Sequence, residues 1–146
     1  MPIKNPSKPL IEQITSSTGI IICGGETEKY QEYIVETEIG QSIQKMYLSG
    51  IPVAGFSAGA LISPAHCVIP PIDNSRQLHL YLKGLSLIKD CVISVHYSTW
   101  DEKENLKAAI KKTNVTTGYG LDDQTGVYFI NENLSKTEGG KLYVVN

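Results

Sequence analysis

A serine between two glycines has the clearest chemical potential in this sequence. Gly55, Ser57 and Gly59 form a G-x-S-x-G pattern between an apolar run, 51–56, and a segment rich in small residues. On a sharp strand-to-helix turn such a serine is exposed as a nucleophile, and the next backbone N–H points to where an oxyanion would form. The alternative is a tight glycine-rich turn without chemistry, since the five-residue pattern also arises by chance. The strand and helix predicted on either side favour the nucleophile.

A nucleophilic serine needs a base, and the sequence contains three histidines, His66, His79 and His96. His96 follows the β-branched run 91–95, and open α/β sheets gather their catalytic groups at the carboxyl ends of strands. We therefore expect His96 to be the base; the alternative is a histidine that caps the following turn. His66 lies about two helical turns beyond Ser57 and is expected to point away. His79 falls in a segment without a clear pattern and stays open as a candidate.

Two further groups stand at the ends of predicted strands. Asp122 and Asp123 follow the strand 116–121, and either carboxylate could orient a histidine base. An Asp-Asp pair before Gln-Thr-Gly is also typical of a plain turn. Gly24 and Gly25 follow the first strand and offer backbone N–H groups without side chains, which could complete an oxyanion hole or only end the strand.

Short apolar runs alternate with helical patterns along the chain. The predicted strands are 20–23, 51–56, 91–95, 116–121, 127–130 and 142–145, and the predicted helices are 26–49, 57–62 and 100–112. The segment 64–84 carries turn signals and is predicted to be a connection. Strands that alternate with helices imply parallel pairing, with helices on the faces of the sheet. We expect one α/β domain spanning residues 1–146.

Length and composition are those of a single soluble domain. The chain has 146 residues, of which 41% are hydrophobic and 19% charged, which is enough for a core without disulfides or metals. Thirteen Lys+Arg against 15 Asp+Glu, with no basic stripe, argue against nucleic-acid binding. The three cysteines lack C-x-x-C spacing and indicate neither a disulfide framework nor a metal site. With no apparent leader or membrane-spanning run, we expect a cytoplasmic protein without membrane contact.

Four blocks, in order, resemble the peptidase E and cyanophycinase family of serine peptidases. The blocks are Ile22–Gly25, Gly50–Ala60, Gly84–Ile88 leading into His96-Tyr97, and Gly118–Asp123. The resemblance runs from about Leu10 to the C-terminus. It implies a three-layer α/β sandwich with a mostly parallel central sheet, like the class I glutamine amidotransferases, with serine where those enzymes keep cysteine.

The resemblance also implies a role for each residue of the site. Ser57 would be the nucleophile, His96 the general base, and Asp123, the second aspartate of its pair, the carboxylate that orients the histidine. The backbone N–H groups of Gly25 and Ala58 would bind the oxyanion. The implied function is a cofactor-free serine hydrolase that cleaves small peptides through an ester on Ser57.

The resemblance also implies which charge the substrate carries. Family activities concern peptides with acidic residues, and arginine's planar fork binds carboxylates best. Arg76 is the only arginine in the sequence and is the candidate for such a contact, with a solvated loop arginine as the alternative. Gly24, next to the proposed oxyanion hole, is the second candidate for substrate binding. A small peptide is the expected substrate.

The sequence departs from the family pattern in three places. Residues 1–19 are fewer than the family carries before its glycine pair, so the sheet is expected to lack its first strand or strands. The uncovered edge is then expected to pair with a second copy of the chain or a separately encoded piece. An alternative function follows: a catalytically silent relative that acts as a binding or assembly subunit. The histidine block reads His96-Tyr-Ser-Thr-Trp100, whereas in relatives it often continues with glutamine and arginine. The glycine pair is followed by Glu26-Thr27, where relatives commonly carry Asp or Asn.

Overall fold

Short helices and strands make up the fold, which we describe for residues 5–146 of a computed structural model. The helices are α1 (Lys8–Thr15), α2 (Thr27–Tyr30), α3 (Glu38–Leu48), α4 (Ala58–Leu61) and α5 (Lys103–Thr113), with a π-helical segment at Gln31–Val35 and a 3-10 turn at Pro71–Asp73. The strands are β1 (Ile20–Ile22), β2 (Val53–Gly55), β3 (His66–Ile69), β4 (Leu80–Lys83), β5 (Cys91–Val95), β6 (Thr117–Leu121), β7 (Thr125–Ile130), β8 (Asn133–Gly139) and β9 (Leu142–Val145).

The strands of residues 5–146 form four sheets, so the chain is a mixed α/β protein. Parallel pairing, which the sequence predicted for most of the sheet, joins β1 to β2 and β5 to β6. The other pairs, β3 with β4, β6 with β9, and β7 with β8, are antiparallel. A short turn at Asn131 and Glu132, both with positive φ, joins β7 to β8, and such a turn can only return the chain antiparallel.

The helix predicted over 26–49 is interrupted in the structure. A π-helical segment, Gln31–Val35, follows α2, and α3 starts again after Thr37. The Thr37 side chain accepts a hydrogen bond from the backbone N–H of Ile39 at 3.3 Å, the arrangement of a helix N-cap. Gly40 lies against the preceding turn, since a Cβ there would be 2.6 Å from the carbonyl oxygen of Ile34. The break therefore places the start of α3 directly against the end of the π-helical segment.

The segment predicted to be a connection, 64–84, contains the hairpin of β3 and β4. Its prolines and turn residues dominate the sequence signal, but Cys67 and Ile69 on β3 are fully buried. The sequence also missed α1, whose amphipathic pattern is short, and β8, whose polar residues are exposed and show no hydrophobic alternation. Each of these elements depends on contacts that local patterning does not reveal.

The core explains why the carboxyl end of β5 is well positioned. All five residues of Cys91–Val95 are buried, and they pack between a main hydrophobic cluster and a second cluster that includes Leu106 and Ala109 of α5. In the parallel β5–β6 pair, Val95 lies opposite Leu121. The residues that follow these two strands therefore leave the sheet at the same end.

Candidate active site

Ser57 lies at a sharp turn between β2 and α4. Its φ of 51° and ψ of −109° are unusual for a residue with a side chain and mark local backbone strain. The flanking glycines make the turn possible: a Cβ on Gly55 would be 2.5 Å from the carbonyl oxygen of Gly59, and a Cβ on Gly59 would overlap the carbonyl of Ile22. The backbone of α4 thus crosses β1 and β2 too closely for any side chain at these positions.

Three predicted residues, Ser57, His96 and Asp123, form a continuous chain of contacts. The Oγ of Ser57 lies 3.2 Å from Nε2 of His96, and Nδ1 of His96 lies 2.5 Å from Oδ1 of Asp123. A carboxylate only accepts hydrogen bonds, so Nδ1 carries the proton and Nε2 is free to accept one from the serine hydroxyl. The arrangement can therefore move a proton from Ser57 to the imidazole while Asp123 holds the ring.

The two adjacent aspartates have different partners. Asp122 accepts a hydrogen bond of 2.8 Å from the backbone N–H of Ser98, and hydrogen bonds from Ser98 lower the pKa of Asp122. Asp123 is the one that contacts His96. Of the other histidines, His66 lies in β3, and the ring of His79 lies 6.3 Å from that of Tyr81.

The glycine pair after β1 lies beside Ser57. A Cβ on Gly24 would be 3.4 Å from the Cβ of Ser57. The hydroxyl of Tyr30 donates a 2.8 Å hydrogen bond to the carbonyl oxygen of Gly24. Because the peptide bond is trans, the N–H of Gly25 points away from that carbonyl. Ala58, whose N–H directly follows the serine, is fully buried.

A pocket of about 310 Å³ adjoins this region, and sequence analysis did not identify it. Its lining residues come from α2, the loop before it and the 3-10 turn: Glu26, Thr27, Glu28, Ile72, Asp73, Asn74 and Ser75. Asp73 accepts a 2.6 Å hydrogen bond from the hydroxyl of Thr27. Burial raises the pKa of Asp73, while the Thr27 hydrogen bond and the nearby His96 act against that rise. In the sequence, Asp73 carried only a turn signal.

Arg76, the arginine considered for substrate binding, lies at the margin of this pocket in an ion pair with Glu28. Its Nε donates to Oε1 of Glu28 at 3.1 Å, and its Nη2 contacts the same oxygen. The guanidinium charge is thus already matched by a carboxylate of the pocket wall. No sequence pattern indicated this pairing, because 48 residues separate the two partners.

Glu102 is a buried carboxylate in the loop that follows His96. It is 4% exposed and accepts hydrogen bonds from Nδ2 of Asn105 at 2.8 Å and from Oγ of Ser94 at 3.3 Å. Burial raises the pKa of Glu102, and these two hydrogen bonds oppose the rise. The native state therefore favours the protonated form more than the unfolded state does, so the stability that Glu102 contributes is lost as pH rises through its folded pKa.

The variant Glu102→Gln tests this linkage. A glutamine keeps the shape, can accept from Asn105 and can donate to Ser94, and it removes the buried charge. We expect its free energy of unfolding to exceed that of the wild type by about 1 kcal/mol at about pH 8, with the difference shrinking toward about pH 4. Urea unfolding at both pH values measures it. A glutamine variant destabilised equally at both would contradict the assignment.

Within the part of the chain that the structure describes, no cluster of three or more His, Cys, Asp or Glu side chains could hold a metal ion. Across residues 5–146, none of the helices has the length and apolar character needed to span a bilayer.

Comparison with known proteins gives a consistent picture. The model of peptidase family S51 matches residues 1–137. The uncharacterised peptidase YgaJ of Bacillus subtilis (strain 168) is 26% identical over 146 residues, which is 97% of this chain and 62% of YgaJ. The chain thus spans about three fifths of the length of this curated relative.

Two solved structures share the fold. A protein named as a peptidase E from Listeria monocytogenes EGD-e superposes with a TM-score of 0.70 at 20% identity, covering 95% of this chain and 68% of that one. A peptidase from an acI-B1 Actinobacterium gives a TM-score of 0.63 at 22% identity, covering 95% of this chain and 55% of the other. At these identities the likeness concerns the fold alone.

Proposed function

Because the chain belongs to peptidase family S51, we propose that it is a serine peptidase in which Ser57, His96 and Asp123 form the catalytic triad. The observation that carries this proposal is the contact chain itself, 3.2 Å from Ser57 Oγ to His96 Nε2 and 2.5 Å from His96 Nδ1 to Asp123 Oδ1. Its order and distances are those that a nucleophile, a base and an orienting carboxylate require.

The proposed reaction is acyl transfer in two halves. The Ser57 oxygen attacks the peptide carbonyl carbon while Nε2 of His96 takes the hydroxyl proton, and Asp123 stabilises the imidazolium that forms. The tetrahedral intermediate collapses, the C–N bond breaks, and the imidazolium returns its proton to the leaving amine. Water, deprotonated by His96, then attacks the Ser57 ester and releases the acid product.

The backbone N–H groups of Gly25 and Ala58 are the proposed oxyanion hole. Ala58 follows the nucleophile directly, and the Gly24–Gly25 peptide lies beside Ser57 with its carbonyl turned toward Tyr30. Such donors contribute most when they are already oriented before charge develops. The hydrogen bond from Tyr30 supplies that orientation for the N–H of Gly25.

A small peptide is the proposed substrate, bound along Gly24 and in the pocket that contains Asp73. A peptide with an acidic residue would reach Arg76 by displacing Glu28 from the guanidinium, since that charge is already paired. An acidic substrate therefore has to compete with a carboxylate of the protein, whereas a substrate ammonium could bind the carboxylate of Asp73, which accepts a hydrogen bond from Thr27, without displacing Arg76 from Glu28.

A fluorophosphonate probe tests the proposed chemistry. We expect it to label the wild-type protein at a single serine, identified as Ser57 by mass spectrometry of the labelled peptide. The second candidate function is a catalytically silent relative that serves as a binding or assembly subunit; it is favoured by the open sheet edge described below. Absence of labelling in a folded, homogeneous sample would select that second function.

The wider architecture is also a proposal. We infer that residues 1–146 belong to one domain of the three-layer, class I glutamine amidotransferase type in a cytoplasmic protein. The TM-scores of 0.70 and 0.63 against two peptidase folds support a shared arrangement of helices and strands.

We propose that a second copy of the chain covers the edge of β1. Within residues 5–146, β1 is hydrogen-bonded only to β2, and Ile21 on β1 is 68% exposed. An open strand edge with exposed apolar side chains favours association. The other occupant considered, a separately encoded piece, would leave the isolated chain monomeric.

Sedimentation velocity at micromolar concentration measures this association. We expect a species larger than the 16.0 kDa monomer, and we expect Ile21→Glu to shift the distribution toward monomer. Leu48→Glu is the matched control, because Leu48 is 83% exposed at the end of α3 and lies outside the β1 edge. A wild-type protein that sediments as a monomer would refute self-pairing.

A further inference from the structure

We propose that Trp100 is a positioning residue for the acyl-transfer reaction inferred above: its indole packs against the His96 imidazole and holds that ring in line with Ser57 and Asp123. The inference rests on the proposed function for its kinetic consequence, while the contact itself can be tested without any substrate.

The first observation is the contact between the two rings. Their centroids are 4.5 Å apart and their planes are inclined by 47°, within the range of favourable aromatic pairs. Trp100 is partly buried and packs against the main hydrophobic cluster. One side of the imidazole therefore faces a rigid aromatic surface rather than water.

The second observation is that backbone hydrogen bonds close a tight turn between His96 and Trp100. His96 has a φ of 51°, a strained value for a non-glycine residue, directly after the buried strand β5. The N–H of Trp100 donates a hydrogen bond to the carbonyl oxygen of His96 at 2.8 Å. The N–H of Glu102 donates a hydrogen bond to the carbonyl oxygen of Tyr97 at 2.9 Å. Glu102 is itself held by Ser94, so this turn is attached to β5 at both ends.

The third observation is the exposure of the remaining partners of His96. The side chain of Asp123 is 57% exposed and that of His96 is 32% exposed, so water can compete for the bond between them. The hydrogen bonds at Nδ1 and Nε2 both lie at the ring edge, so they leave the imidazole free to tilt about the line that joins the two contacts. The indole blocks such tilting from one face, and its π electrons attract the imidazolium that forms as Ser57 attacks.

Two substitutions separate this role from simple packing. Trp100→Leu keeps an apolar side chain and removes the aromatic face; Trp100→Phe restores an aromatic face. We expect the leucine variant to lose about tenfold in kcat with KM changed by less than about twofold. The phenylalanine variant should recover kcat to within about threefold of the wild type. Tyr128→Leu, which removes an exposed aromatic ring from β7, is the matched control and should keep wild-type kcat.

Trp100 is the only tryptophan in the sequence, so its fluorescence reports directly on the contact. We expect its emission to fall as histidine protonates on acidification, because an imidazolium against the indole quenches it, and we expect His96→Asn to abolish this step. A step unchanged in His96→Asn, or a leucine variant that is folded and retains wild-type kcat, overturns the proposal. If the wild type shows the fluorescence step but neither labelling nor turnover, the peptidase function fails and the proposal falls with it, leaving only the ring contact.

Discussion

Replacing Ser57 with alanine is expected to abolish peptide hydrolysis, lowering kcat by at least about 10⁴-fold, and to abolish labelling by a fluorophosphonate. The loss is large because no other group on the contact chain can form the ester: His96 and Asp123 only move and stabilise a proton. Activity against a panel of small peptides and probe incorporation are the two measurements. Peptide hydrolysis and probe labelling must be lost together, because both require the hydroxyl oxygen of Ser57.

The experiment must distinguish a loss of catalysis in Ser57→Ala from a loss of folding. Alanine keeps the Cβ of Ser57 and can occupy the same turn at similar backbone cost, so thermal unfolding should change little. Ser135→Ala, an exposed serine on β8, is the matched control and should retain labelling and turnover. A Ser57→Ala protein that still hydrolyses peptides would eliminate Ser57 as the nucleophile and with it the proposed mechanism.

Replacing Asp123 with asparagine is the second large effect that we expect, a loss of about 10³- to 10⁴-fold in kcat. The amide is nearly the same size as the carboxylate, but it cannot stabilise an imidazolium, and its NH₂ group favours the wrong histidine tautomer. The 2.5 Å contact from His96 Nδ1 to Asp123 Oδ1 makes this dependence direct. Steady-state kinetics with the best substrate of the panel measures it.

The neighbouring aspartate supplies a stringent control for this variant. Asp122 accepts its hydrogen bond from the backbone of Ser98, whereas Asp123 is the aspartate that contacts the imidazole, so Asp122→Asn should lower kcat by less than about tenfold. Because hydrogen bonds lower the pKa of Asp122, the same substitution should reduce stability at neutral pH and lose that effect in acid. Equal kinetic losses at the two positions would contradict the assignment of Asp123.

Local sequence was informative where function demands particular residue types at short range. Gly55, Ser57 and Gly59 indicated a turn that only small neighbours permit, and in the structure neighbouring backbone lies too close to Gly55 and Gly59 for a side chain at either position. His96 was found because it ends a β-branched run that reads as a buried strand. The choice between Asp122 and Asp123 was not available from local pattern alone; it came from the family resemblance, and the contact with His96 agrees with it.

Other elements were beyond local patterning for identifiable reasons. The hairpin of β3 and β4 was predicted to be a connection, because prolines and turn residues between the strands outweigh two short apolar runs. The interruption after α2 was not predicted, because apolar residues recur near helical spacing over 26–49 and outweigh the preference of Thr37 for a cap. A mostly parallel sheet was expected, but β9 pairs antiparallel with β6, and β7 pairs antiparallel with β8 through a turn with positive φ at Asn131 and Glu132, neither of which is a glycine.

By itself, the sequence determined the chemical inventory of this protein: a serine that can be exposed on a strained turn, a histidine at a strand end, a pair of carboxylates and a glycine pair. Only the tertiary structure decided which of them meet. Parallel register between β5 and β6 brings His96 and Asp123 to one edge, and packing brings Trp100 against His96 and Arg76 against Glu28. The physical reason is range: residue type and backbone preference act over a few positions, whereas contacts between distant segments are set by how the whole core packs.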